Sequence, residues 1–205
     1  MALCLLLRWL PPPTTVFMLY RHAEDLFAGH PYQAIDYRWV GREAISGHAF
    51  KAAVAAEDQR FFQHSGFDWH SIQASIDGYT EGNHHLRGAS TITQQVAKNL
   101  FLTPAKNFFR KGLEVWFTVL LEVFWDKQRI LETYLNIAEF GDHLFGIEAA
   151  SQYYFGIPAK RLNRNQAALL AATLPNPIRF KASRPSNYVI RRQQWILRQM
   201  HNLGG

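Results

Sequence analysis

Three short runs hold the side chains with chemical potential. The first is Glu57-Asp58-Gln-Arg-Phe61-Phe-Gln-His64-Ser-Gly66. Phe50, Val54, Glu57 and Phe61 recur at spacings of four, three and four, so a helix sets them on one stripe. That stripe is apolar except for Glu57, which the pattern therefore turns toward the protein. Burial raises a carboxyl pKa, and a carboxylate tuned toward neutrality makes a general base. The same residue also fits a plain ion pair with Arg60, one turn on. The second run, Gln94-Gln95-Val-Ala-Lys98-Asn99, gathers amides and a lysine at helical spacing. Such a group forms a solvated face, or it lines a sugar-phosphate cleft, because amides read hydroxyls and lysine meets phosphate. In the third run Arg110, Glu114 and Thr118 make the one polar line of an apolar segment. Glu114 is thus a second inward carboxylate, with Arg110 one turn before it, and a buried structural ion pair explains it equally well.

These residues need helices to position them. The first helix of the three is expected from Ala49 to Gly66. A short helix over Ser71–Tyr79 turns Ile72 and Ile76 inward, and Thr80–Gly88, with Asn83, His84 and His85, reads as a loop. Adjacent histidines diverge on any regular element, so a metal site there is not expected. Ser90 is the expected N-cap of the glutamine-bearing helix, and Pro104 marks a link over Phe101–Asn107. Phe108–Phe124 is apolar nearly all round, which predicts a helix central to the fold. Asp126 caps Lys127–Ile137. Gly141 and Gly146 bracket a loop, Ile147–Phe155 is helical up to Gly156, and Asn163–Gln166 has capping-box spacing ahead of Ala167–Leu174. Ser186–Leu203 is the last helix, with Val189, Trp195, Ile196 and Met200 inward. Before Ala49, Thr14–Asp36 suggests an extended stretch and a short helix, and Tyr37–His48 a loop. Strands are scarce, and no repeat is visible.

The totals bound the function. A chain of 205 residues that is 48% hydrophobic and 14% aromatic can bury a sizeable core in one domain. Its formal charge of +6 favours an anionic partner such as phosphate or a membrane surface. The basic residues are spread along the chain without a basic block, which weighs against nucleic acid. Cys4 is the only cysteine, so no internal disulfide and no cysteine-based metal site can form. Ala2–Leu7 is apolar, but Arg8 interrupts it and Pro11-Pro12-Pro13 ends it. A bilayer span takes roughly 20 apolar residues. The run is either the tail of a membrane anchor or a short apolar arm packed on the domain.

Five segments, in order, resemble the glycosyltransferase domain of peptidoglycan polymerases. They are Glu57 to Gly66, Gly88-Ala-Ser90-Thr-Ile-Thr-Gln94-Gln95-Val-Ala-Lys98-Asn99, Arg110-Lys111-Gly-Leu-Glu114, Arg129-Ile-Leu-Glu-Thr-Tyr134-Leu-Asn136, and Gly146-Ile-Glu148 through Gly156. Within that group the chain is similar to the monofunctional biosynthetic peptidoglycan transglycosylases of Gram-negative type, since no transpeptidase-like segment follows. The resemblance implies a mostly α, lysozyme-like domain, with a larger lobe and a small membrane-proximal lobe around one cleft. It makes residues 1–10 the remnant of an anchor and 11–205 the glycosyltransferase domain. It places the protein at the inner membrane, single-pass, with the catalytic domain in the periplasm.

The implied reaction joins lipid II units into β-1,4 glycan strands with inversion and release of a lipid diphosphate, as part of cell-wall biogenesis and cell shape. By resemblance Glu57 is the general base on the acceptor hydroxyl, and Glu114 lies on the leaving-group side. Lys98, Arg110 and Lys111 balance the diphosphate. Lys106 stands where the family often has arginine, and keeps the charge without the bidentate fork. Asp58, Phe61, His64, Ser90, Gln94, Gln95 and Asn99 match positions that line the cleft. No cofactor is required, and a divalent cation bridging Glu114 to the diphosphate is compatible with the set. The implied partners are lipid II, the growing glycan strand and the inner membrane, with cell-division or cell-wall synthesis proteins as candidates and no nucleic acid. Two other readings fit parts of the sequence: a lysozyme-like lytic enzyme, which has no need of the cations, and a non-enzymatic basic module at the membrane.

Overall fold

The computed structural model describes residues 1–80, 90–104 and 107–203, apart from the side chains of Ile76 and of residues 78–80. Among the described residues the α-helices are α1 (Ala2–Leu6), α2 (Val16–Ala28), α3 (Gly47–Glu57), α4 (Trp69–Thr80), α5 (Ile92–Phe101), α6 (Phe108–Phe124), α7 (Lys127–Ile137), α8 (Ile147–Phe155), α9 (Arg164–Thr173) and α10 (Asn187–Asn202). A small sheet joins β1 (Asp36–Tyr37), β2 (Glu139–Gly141) and β3 (Leu144–Phe145) in the order β1-β3-β2, with β1 parallel and β2 antiparallel to β3. The mostly helical expectation holds.

Local chemistry sets most helix starts. Asn107, Asp126 and Ser186 cap α6, α7 and α10 by accepting from the N–H of Arg110, Arg129 and Val189. Asn163 and Gln166 form the expected capping box of α9. The cap of α5 is Thr91 rather than Ser90, again as a capping box with Gln94. Spacing decides this: only Thr91 stands three residues before Gln94. The predicted glycine-bracketed loop is a tight hairpin, β2 to β3, turned by Asp142 and by His143 at φ 56°. Gly146 follows at φ 89°, where an added Cβ would lie 2.6 Å from the Asn136 carbonyl oxygen. The stretch from Thr14 yields a 13-residue helix, capped by Thr15 and closed by Gly29 in the left-handed region.

The core sits between α3 and its neighbours. Ala49, Ala52, Ala53 and Ala55 of α3 are buried, as are Ala167, Ala168, Ala171 and Ala172 of α9. Small residues on both helices let their backbones approach closely, and α10 packs across the pair. On the other side α5 packs against α6 and α7.

One expectation fails in an informative way. Helix α6 is not enclosed: Val115, Trp116, Val119 and Val123 are exposed, and Phe108 at its start is 97% exposed. A helix apolar all round demands two apolar surroundings, and here protein supplies only one of them. Helix α1 lies against α6. Cys4 and Leu7 are buried, while Leu3, Leu6, Trp9 and Leu10 face outward. The Trp125 indole donates to the Cys4 carbonyl at 2.7 Å, and Arg129 donates to the carbonyls of Leu7 and Leu10. Among the described residues no helix is long and apolar enough to cross a membrane.

Candidate active site

The helix that carries Glu57 ends at Glu57, not at Gly66. Asp58 leaves helical geometry (φ −161°, ψ 78°) because its carboxylate is committed elsewhere. One oxygen accepts the Ile92 N–H at 3.0 Å, the first amide of α5, and both oxygens meet His64 Nε2, at 2.9 and 3.1 Å. Thr91 also donates its hydroxyl to the Gly66 carbonyl at 2.7 Å. The segment 57–66 is thus pinned to the start of α5, where free helix amides and a carboxylate suit one another. Asp58 is the buried acid of the pair. Burial raises its pKa, and hydrogen bonds from His64 and Ile92 offset part of that rise. Phe61 is fully buried beneath the Lys127 ammonium, 4.5 Å above its ring, so it supports the segment from the core.

Pinning α5 in this way brings Gln95 to Glu57. Gln95 Nε2 donates to Glu57 Oε2 at 3.0 Å, while the Tyr134 hydroxyl of α7 donates to Gln95 Oε1 at 3.4 Å. The second Glu57 oxygen accepts from Arg192 of α10 at 3.1 Å, and Arg192 also reaches the Ala56 carbonyl at 3.3 Å. The Glu57 side chain keeps 15% exposure, so it is lined rather than sealed. The expected pairing with Arg60 is replaced by Arg192. Sequence reading missed Arg192, although Val189, Arg192, Ile196 and Met200 form an apolar stripe broken by one charge. That is the same signal that singled out Glu57.

One turn beyond Gln95 is Lys98. Burial lowers its pKa, and Arg110 and Lys111 lower it further, while Glu114 and Glu57 raise it. Lys98 itself is half-buried on α5. Glu114 is buried on α6 and accepts from Arg110 at 2.8 Å and from the Lys111 ammonium. Thr118 donates to the Glu114 carbonyl at 2.7 Å, which completes the predicted polar line. Gln94 is buried in its capping role and Asn99 is buried too, whereas Ser90 is exposed. Lys106, like Asn83, His84 and His85, lies outside the described residues.

Among the described residues no group of three or more His, Cys, Asp or Glu side chains could hold a metal ion. Both Glu114 oxygens already meet cations, so a divalent ion there would have to displace Arg110 or Lys111.

A mostly helical domain that gathers two carboxylates, paired amides and a cationic set on facing helices has the make-up of a sugar-transferring domain. The family model described as Transglycosylase matches residues 26–201. The chain is 53% identical over 204 residues to the biosynthetic peptidoglycan transglycosylase of Pseudomonas entomophila, covering all of this chain and 86% of that one. The protein of the same name from Haemophilus influenzae is 52% identical over 203 residues, 99% of this chain and 82% of that one. Its counterpart in Mannheimia succiniciproducens is 50% identical, with 99% and 83% covered. The chain belongs to the biosynthetic peptidoglycan transglycosylase family.

Proposed function

We propose that this protein polymerises lipid II into β-1,4 glycan strands, releasing a lipid diphosphate with inversion. The observation that carries the reading is Glu57 at the end of α3, 15% exposed and held by Gln95 at 3.0 Å and Arg192 at 3.1 Å, with half-buried Lys98 one turn beyond Gln95. In the step, the acceptor hydroxyl oxygen forms a bond to the donor's anomeric carbon. Glu57 takes the hydroxyl proton, and the carbon–oxygen bond to the diphosphate breaks, its electron pair leaving with the diphosphate. Gln95 and Arg192 hold the Glu57 carboxylate in one orientation, which favours transfer from a fixed direction. On the leaving side Lys98, Arg110 and Lys111 face a single carboxylate, Glu114, so the cations outnumber it by two. That surplus suits a diphosphate whose charge grows as the bond breaks. Two separated carboxylates on opposite sides of the reacting carbon also suit inversion, by analogy with inverting hydrolases.

The exposed apolar faces of α1 and α6 support a membrane-proximal placement, with residues 1–10 as the end of an anchor, 11–205 as the catalytic domain, and the domain facing the periplasm. The deciding experiment incubates the purified protein with fluorescent lipid II and follows polymer by gel. Polymer that a muramidase digests is the expected result. Absence of polymer, with fragments released from preformed glycan instead, would overturn the reading in favour of a lytic enzyme.

A further inference from the structure

Residues 149–205 carry nine of the 22 lysines and arginines and none of the 16 aspartates and glutamates. A sign asymmetry of this size over the last quarter of a chain points to an anionic partner. The charge is distributed without any run, so it becomes a feature only once α9 and α10 fold together. Arg164 Nη2 donates to the Leu197 carbonyl at 2.6 Å, and Gln193 Nε2 donates to the Asn165 carbonyl at 2.9 Å. These two bonds fasten the start of α9 to the middle of α10. An open groove of about 610 Å³ lies along that seam. Arg164, Arg198 and His201 are the titratable side chains that line it, and Asn165, Gln194 and Asn202 supply amides. Along α10, Arg191, Gln194, Arg198 and His201 follow one another at helical spacing and are all exposed. Among the described residues neither Arg191 nor Arg198 makes an ion pair.

We propose that this groove is a binding site for the carboxylate-bearing glycan strand that the enzyme makes, an assignment that rests on the function proposed above. Guanidinium groups grip carboxylates bidentately, and amides read sugar hydroxyls. A glycan carrying peptide stems with free carboxylates offers both. The location agrees. Arg192 touches Glu57, and Arg198 lies six residues farther along the same helix, roughly 9 Å at the rise of an α-helix. A strand held at the seam therefore lies across α10 from the carboxylate where each new link forms, since Arg192 faces inward and Arg198 outward. A lipid surface fits less well. The apolar faces that suit a membrane belong to α1 and α6, while the groove belongs to α9 and α10, which pack on α3.

The test uses the full chain and the double substitution Arg164→Gln/Arg198→Gln, which removes two exposed charges and keeps the groove polar. Fluorescence anisotropy reads binding of soluble, labelled glycan strands with intact stems, and of the same strands after an amidase has removed the stems. The intact protein is expected to bind the stemmed strand about tenfold more tightly than the double variant does, as loss of two charge-assisted contacts implies. Binding should also weaken with added salt and on removal of the stems. Equal affinity of the two proteins, no binding by the intact protein, or indifference to the stems would overturn the proposal. So would equally arginine-dependent binding to phosphatidylglycerol vesicles that competes with the strand. A thermal unfolding midpoint equal to wild type confirms that the variant is folded, and Arg191→Gln/Arg198→Gln repeats the test without touching the Arg164 bond. Binding needs no turnover, so it is scored independently of the lipid II assay. A protein that binds strands but makes no polymer sinks the catalytic reading alone.

Discussion

Glu57 and Glu114 are both helical glutamates in cationic company, yet they are assembled differently. Glu114 draws its partners from its own helix, Arg110 four residues before it and Lys111 three before it. Glu57 draws on three elements: it ends α3, and its partners come from α5 and from α10, 38 and 135 residues away. The first arrangement exists as soon as α6 forms. The second exists only when α5 and α10 are both docked. Charge balance differs as well, because Glu57 meets one cation and one neutral amide, while Glu114 meets two cations. A carboxylate flanked by two cations organises positive charge around itself.

The sharpest way to break this contrast is to exchange the group at each end. Glu57→Gln keeps size and hydrogen bonding but cannot accept a proton, so polymerisation should fall on the order of a hundredfold or more with the fold intact. Near wild-type polymer yield from that variant would remove Glu57 from the chemistry. Lys98→Ala should cut turnover by about ten- to a hundredfold, through a partner that strengthens as the diphosphate leaves. Lys98→Arg should recover part of that loss, because the fork is broader than an ammonium. Burial already disfavours the charged form of Lys98, so Lys98→Ala should leave the thermal unfolding midpoint unchanged or raise it. A variant that lost stability and rate together would make Lys98 a structural residue.

Arg192→Ala and Arg110→Ala compare the two settings directly. Removing Arg192 leaves Glu57 without its cation and loosens α10, costing about tenfold in turnover and about 1–2 kcal/mol of stability. Removing Arg110 leaves Lys111 in place, so the stability cost should be about 0.5 kcal/mol, as urea unfolding of both variants would show. Equal costs would erase the distinction between a tertiary site and a single-helix site.

The smallest effect on turnover is expected from a third acid. Burial pushes Glu139 up from 4.5 to about 7, with Arg21 and His143 opposing the rise and Asp142 adding to it. Glu139 packs against α2 through Arg21 and touches none of the site residues, so Glu139→Gln should leave turnover within about twofold. Its raised pKa makes the folded state bind the proton more tightly than the unfolded chain. Stability from this group is therefore full near pH 4.5, falls as pH rises toward 7, and stays low above that. The shift caps the loss at about 3 kcal/mol. Glu139→Gln should flatten the slope of unfolding free energy between pH 5 and pH 8. An unchanged slope would assign it to Asp58, whose pKa is raised too.

What the sequence determined by itself is local. Capping residues fixed where α6, α7, α9 and α10 begin, because a cap needs only a side chain and an amide a few residues apart. Helical phase fixed the line of Arg110, Glu114 and Thr118 for the same reason, and the order of motifs fixed the family. Tertiary structure decided the rest. It stopped α3 at Glu57, because Asp58 had an amide of α5 to satisfy across 34 residues. It chose Arg192 over Arg60 as the Glu57 partner, and it left the outer face of α6 open although its composition reads as buried. It also gathered scattered arginines into the seam of α9 and α10. None of these follows from spacing along the chain, because each depends on which helix faces which. That is set by the packing of alanine faces and apolar stripes between elements far apart in sequence.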